Sequence, residues 1–355
     1  MSLKSRLGRA SLHLVEAAGE LTPWNDTVQA MKLSRAMTGY QLTMALGAAY
    51  ELGIIGYLKS QRTSGEVASF AGMTEPAAEV LLNALEEAGT IQRENGHIVL
   101  TTAARAHLCR EGWNPGRGMI DFMLGTWSYW RDLGTALQKN EGHPVVRVYN
   151  PDNPLMAEFV RLTTSMLAAP SKALVQKLDL SNVRRMICGT VGVSFAAAVT
   201  QAKPDVEITV SCLPLLIREL PAAASQFKLK KPTEIIENTG DAEKDTWGAS
   251  ESYDLVFLAR KFGYCGPEHG IQYLQKSREV IPPGGYLILW EPFADNFELA
   301  PWMKTAYELS DAMLGEPRPL YRKQDVVDFA REAGFPEVST IDVSRGSVSF
   351  VVARR

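Results

Sequence analysis

VRRMICGTVGVSFAAAVTQAKPDVEITVSCLP, residues Val183 to Pro214, is the stretch whose reading decides the fold. A β-branched and apolar run ends at Cys188, a turn holds Gly189 and Gly192, an alanine-rich helix spans about Ser194 to Lys203, and a second strand runs from Val206 to Leu213. This is the strand-turn-helix-strand unit of a doubly wound sheet, in which glycines of the first turn let a nucleotide-bearing ligand approach the main chain. A working site of that kind wants a carboxylate at the end of the second strand for the ribose hydroxyls. The chain offers Cys212 there.

Toward the carboxyl terminus strand and helix patterns alternate, which implies a mainly parallel sheet with helices on both faces, a Rossmann-like α/β domain over residues 181–355. The expected strands are Arg185 to Cys188, Val206 to Leu213, Thr233 to Glu237, Tyr253 to Arg260 and Tyr286 to Glu291. Val338 to Val343 and Val348 to Ala353, joined by SRGS, are expected as an antiparallel hairpin at one edge. Helices are expected over Glu268 to Ile281, Phe297 to Leu314 and Lys323 to Ala333.

Toward the amino terminus, residues 113–180 read as a helical linker and substrate cap, with a helix from about Leu155 to Leu178. Phe122, Met123, Trp127, Tyr129 and Trp130 cluster there, suited either to a core or to a mostly apolar pocket. Residues 1–112 read as a helical, winged-helix dimerisation domain. Thr63 and Glu66 have capping-box spacing. From Thr74 a helix carries Ala77, Leu81, Ala84, Leu85 and Ala88 on one face up to Gly89, and IQRENGHIVLT is a hairpin turning at Asn95-Gly96. The helix that would read DNA holds Glu75, Glu79, Glu86 and Glu87 and no Lys or Arg, so it repels phosphates and no nucleic-acid partner is expected. Leu12, Leu14, Val15 and the apolar stretch from Met31 to Leu58 instead suggest that a second copy of the chain covers this region, as a homodimer.

A chain of 355 residues with 46% hydrophobic content and a net charge of −3 fits two globular domains with no electrostatic pull toward polyanions or an anionic membrane. The best apolar run, TMALGAAYELGIIGYL, is broken by Glu51, and the basic amino terminus lacks an apolar segment with a cleavage site. The cytoplasm is therefore the expected location. Cys109, Cys188, Cys212 and Cys265 lie far apart with no CxxC spacing, so neither a disulfide framework nor a structural metal site is expected.

The winged-helix start, the PPGG turn at Pro282 to Gly285 before YLILWEP, the AGF at Ala333 to Phe335 and the closing hairpin together resemble the S-adenosylmethionine-dependent O-methyltransferases of plant phenolic, hydroxyindole and bacterial polyketide type. The resemblance covers nearly the whole chain and implies an intertwined homodimer. It also places Ile187 at the acid ending the family's first strand, Gly189, Thr190, Val191, Gly192 and Val193 across its glycine run, and Cys212 at its ribose acid. The catalytic histidine, which takes the acceptor's proton, falls on Gly263. One orienting glutamate matches Glu291, and the second falls near Leu320 or Tyr321.

Losses at the glycine run, both acids and the base touch every part of methyl transfer, so the expectation is a methyltransferase fold that no longer uses the methyl donor. Gly189, Gly192 and Cys212 are then vestigial cofactor positions, and no cofactor is expected. The chemistry becomes that of a cyclase, lyase or hydroxylase on a small apolar or aromatic metabolite, with Arg260, Lys261, Tyr264, Cys265 and Glu291 as catalytic candidates and His269 nearby. Met123, Trp127, Trp130, Trp302, Met303 and Tyr307 are the candidate substrate wall. The alternatives are an active O-methyltransferase with an atypical S-adenosylmethionine site, and a non-catalytic binding or heterodimer partner. Cys188, Cys212 and Cys265 are expected at the crevice, either as apolar filler or, for Cys265 beside Lys261 and His269, as a reactive thiol.

Overall fold

The computed structural model describes residues 26–109, 114–148, 150, 152–229, 232, 234–241 and 243–355. Leu12, Leu14, Val15 and Thr233 lie outside the described residues. The chain divides into two compact units, with the boundary between residues 111 and 112.

The first unit contains α1 (Asp26–Glu51), α2 (Ile54–Tyr57), α3 (Ser64–Ala71), α4 (Glu75–Glu87), β1 (Ile91–Glu94), β2 (His97–Leu100) and α5 (Thr102–Leu108). The Thr63 side chain accepts from the Glu66 N–H while Glu66 accepts from the Thr63 N–H at 2.7 Å, so the capping box forms as spaced. Thr74 caps α4. The buried face of α4 is Ala78, Leu82 and Leu85, with Ala77 and Ala88 exposed, so the expected stripe is rotated by about one residue. Glu79 and Glu86 hold Arg93 of β1 at 2.8 and 3.3 Å, which ties the acidic helix to the hairpin. Asn95 and Gly96 both take positive φ, 49° and 80°, as a two-residue hairpin turn requires.

The second unit opens with α6 (Pro115–Thr126), α7 (Leu133–Lys139) and α8 (Met156–Val175). The sheet domain follows: β3 (Arg185–Gly189), α9 (Val193–Ala202), β4 (Glu207–Cys212), α10 (Leu220–Phe227), β5 (Glu234–Glu237), β6 (Leu255–Ala259), α11 (Lys261–Val280), β7 (Tyr286–Trp290), α12 (Pro301–Leu314), α13 (Lys323–Glu332), β8 (Glu337–Val343) and β9 (Val348–Arg354). The seven strands lie in the order β5-β4-β3-β6-β7-β9-β8, parallel except for the antiparallel pairings of β9 with β7 and β8. Alternate residues of one strand feed opposite cores: Leu255 and Phe257 pack on one face, Val256 and Leu258 on the other. Phe122, Phe159, Leu167 and Leu174 from the helices before the sheet belong to the first of these cores, so the segment 113–180 is part of this unit. Leu167 and Leu174, the most deeply buried of these, each contribute about 1.5–3 kcal/mol by leaving water.

Two local features position the site. Strand order reverses between β3 and β6, which opens a crevice beyond their carboxyl ends. The helix expected from Glu268 begins at Lys261, because two helices join across a kink at Gly266 (φ 79°, ψ 175°) just before Pro267. No helix among the described residues is long and apolar enough to cross a membrane.

Candidate cofactor and acceptor crevice

The crevice is walled by the Gly189 to Gly192 turn, by Ser211 and Asn238 after β4 and β5, and by Arg260, Lys261 and Tyr264 after β6. A smaller cavity adjoins it, shares Gly189, Ser211, Asn238 and Lys261, and reaches Asp245 and Tyr273.

The turn is a short 3₁₀ segment, Thr190–Gly192, with no positive φ. Branched side chains at Thr190 and Val191 are therefore compatible with this backbone. The two glycines differ. A Cβ on Gly192 would stand 2.7 Å from Phe257 and 2.8 Å from Cys188, so this glycine serves helix-to-sheet packing. A Cβ on Gly189 would meet only the Ser211 carbonyl oxygen, at 3.9 Å, so its open side faces the crevice. Neither the turn nor the start of α9 carries a side-chain cap; the Val193 N–H donates to the Thr190 carbonyl.

Cys212 is not on the crevice wall. It is fully buried, its sulfur accepts the Thr190 hydroxyl at 3.1 Å and lies 3.3 Å from the Leu213 carbonyl oxygen, and burial pushes its thiol up to about 11. Its neighbour Ser211 faces the ligand space instead, its hydroxyl accepting from the Asn238 amide at 2.8 Å. Cys188 is also buried, with its thiol pushed up to about 12, and borders the smaller cavity; Cys265 is half-buried.

Behind the crevice lies a buried ionic cluster. Arg260 caps α11 at φ 61°, held there by its N–H to the Trp290 carbonyl at 3.0 Å. Its guanidinium donates to Asp311 through Nη2, and to the Tyr264 hydroxyl from Nε and Nη2 at 2.9 and 2.6 Å. Glu291 Oε2 is 3.9 Å from Nη1, and Glu291 Oε1 accepts the Phe262 N–H at 2.9 Å. Burial pushes the Glu291 carboxyl up to about 7, against the pull of Arg260. Asp311 is likewise raised by burial, Tyr264 is raised, and Arg260 stays charged because its acidic neighbours outweigh its burial. A Cβ on Gly263 would lie 3.3–3.4 Å from Asp311, Arg260 and Glu291, so the cluster closes over the place the resemblance gave to histidine. Lys261 stacks its ammonium 3.9 Å above the Tyr273 ring, and burial lowers its pKa.

Of the expected catalytic residues, Arg260, Lys261 and Tyr264 line the crevice, Glu291 stands behind Arg260, and Cys265 packs against the core. The expected substrate wall does not assemble there. Trp302 is 71% and Trp127 40% exposed, Met123, Trp130 and Met303 are half-buried elsewhere, and the Tyr307 hydroxyl meets the Met166 sulfur at 3.8 Å. Met156, Phe159 and Val160 of α8 line the crevice instead. Their i, i+3, i+4 spacing within the expected helix was the available signal. Asp311 gave none, since only the fold brings α12 to Arg260.

A doubly wound sheet with a closing antiparallel hairpin and a crevice at its switch point defines a Rossmann-like methyltransferase domain. The sequence matches the O-methyltransferase domain over residues 130–336, more than half the chain, and the chain belongs to that family. It is 24% identical over 270 residues, 71% of each chain, to an L-tyrosine C(3)-methyltransferase of Streptomyces lavendulae. Its fold is similar to that of PigF with SAH (TM-score 0.73, 22% identity, covering 92% of this chain and 99% of that one). It is also similar to human N-acetylserotonin methyltransferase in complex with SAM (TM-score 0.73, 18% identity, covering 94% and 99%). The expectation that the chain uses no cofactor is overturned by this family membership and by neighbours solved with SAH or SAM.

Proposed function

We propose that this protein is an S-adenosylmethionine-dependent methyltransferase acting on a small apolar or aromatic metabolite. The observation that carries the reading is Gly189, a glycine that no neighbouring protein atom requires and whose open side faces the crevice. The residues present fit the cofactor: the amides of the Gly189 to Gly192 turn, the Ser211 and Asn238 pair in place of a ribose carboxylate, and Lys261 between the two cavities. The bound cofactor supplies an electrophilic methyl group. Met156, Phe159 and Val160 give the acceptor an apolar, water-excluding wall. The non-methylating reading rested on losses at the glycine run, both acids and the base; against it, Gly189 keeps an open side toward the crevice, and Ser211 with Asn238 offers hydrogen-bonding groups in place of a ribose carboxylate. The test is a structure determined with S-adenosylhomocysteine: ligand ordered against Gly189, Ser211 and Asn238 is expected, and an empty crevice at saturating ligand would overturn the reading.

The protein is further proposed to act as a homodimer. Leu33, Met37, Tyr40 and Met44 form an exposed apolar stripe along α1 at i, i+4, i+7 and i+11, a face that a second copy covers.

A further inference from the structure

We propose that Lys261 is a specificity-determining residue whose charge makes the crevice favour the neutral, demethylated form of the cofactor over the cationic methyl donor; this rests on the methyltransferase reading above. Lys261 opens α11 and lines both the crevice and the smaller cavity. Its side chain makes no ion pair and no hydrogen bond among the described residues, and its ammonium lies over the Tyr273 ring, 3.9 Å from the centroid. The residue is half-buried and its ammonium keeps accessible surface, unlike the sealed polar atoms of the ionic cluster behind it. A cation so placed acts on any ligand that fills the crevice.

The wall offers that charge no counterweight. Among the described residues lining the crevice there is no carboxylate, and the ionisable ones are Arg260, Lys261 and Tyr264. Arg260 is matched from behind by Asp311, which leaves the Lys261 charge uncompensated there. The smaller cavity adds one carboxylate, Asp245, whose oxygens are taken by the Thr239 N–H and hydroxyl at 2.6 and 2.8 Å and by the Tyr273 hydroxyl at 3.2 Å. The positions that the resemblance gives to acids, Ile187 and Cys212, are uncharged, Cys212 because burial holds its thiol protonated. A cleft lined by one sign of charge between low-dielectric walls focuses its field on the ligand. S-adenosylmethionine differs from S-adenosylhomocysteine by one methyl group and one positive charge, so the ratio of their affinities reads that field. An opening of about 650 Å³ keeps the ligand's charge within about 10 Å of the ammonium, close enough for a bias of about tenfold.

The test is calorimetric titration of S-adenosylhomocysteine, S-adenosylmethionine and sinefungin, which carries an ammonium in place of the sulfonium and so separates charge from the bulk of the methyl group. Weakly acidic buffer keeps Lys261 charged against the opposing effect of burial. Wild type is compared with Lys261→Met, which removes the charge, and Lys261→Arg, which retains it, their folds checked by circular dichroism; Lys261→Gln replaces the methionine variant should that one not fold. The wild type is expected to bind S-adenosylhomocysteine about tenfold more tightly than either cationic ligand, the arginine variant to keep that preference, and the neutral variant to bring the three ligands near parity. Equal or tighter binding of the donor by the wild type, sinefungin bound as tightly as S-adenosylhomocysteine, or a preference unchanged in the folded neutral variant would overturn the proposal. S-adenosylhomocysteine binding without the preference removes Lys261 from this role and leaves the methyltransferase reading standing, whereas no binding of any of the three by the wild type ends that reading and this one with it.

Discussion

Gly189 and Gly192 stand three residues apart in one turn and do different work. Gly192→Ala places a methyl group 2.7 Å from Phe257 and 2.8 Å from Cys188 Cβ, and is expected to cost about 1–3 kcal/mol, read as a lowered melting temperature. Gly189→Ala meets nothing closer than 3.9 Å and is expected to leave stability unchanged while filling the ligand's space. Glu291 and Asp311 are both buried carboxyls with raised pKa, and of the two Glu291 can be probed without breaking the hydrogen bond to Arg260. Its carboxyl is raised from 4.5 to about 7 by burial, so its contribution to stability is fully present below pH 4.5 and is lost as pH rises through about 7. Wild type is thus expected to lose up to about 3 kcal/mol over that window, and Glu291→Gln, which can still accept the Phe262 N–H, to show a flatter profile in denaturant titrations at pH 5 and 8. An identical slope in both proteins would place the titration elsewhere.

At the scale of elements, α11 depends on its kink. Gly266 adopts φ 79° and ψ 175°, a region nearly closed to other residues, and a Cβ there would approach the Arg318 guanidinium to 2.7 Å. Gly266→Ala is expected to destabilise the protein by at least about 1–3 kcal/mol, measured by thermal unfolding. Most elements were legible in the sequence for local reasons: the capping box at Thr63 and Glu66, the Asn95-Gly96 turn, and the strands buried on both faces as continuous apolar runs, such as YLILW in β7. What was not legible depended on approach in space. The first turn of α11 was hidden behind Gly266 and Pro267, which locally signal a break. The exposed Trp302 and the half-buried Met303 resemble pocket residues by type, yet the wall is built by α8. Cys212 was placed correctly along β4, but strand alternation turns Ser211 to the crevice and Cys212 away.

For the whole molecule, the stripe on α1 predicts association. Light scattering is expected to give twice the 39.0 kDa chain mass, and Leu33→Glu with Tyr40→Glu to shift it toward the single-chain value. A single-chain mass for the wild type would refute that arrangement. The larger claim is that a crevice altered at its base and ribose acid still takes the methyl donor, because what the cofactor needs from the main chain is intact. Calorimetric titration of S-adenosylhomocysteine into the wild type and Gly189→Ala tests it most directly. The account predicts binding at about micromolar Kd by the wild type and at least about tenfold weaker binding by the variant at an unchanged melting temperature. No heat of binding in the wild type, or equal affinity in the two proteins, would contradict it.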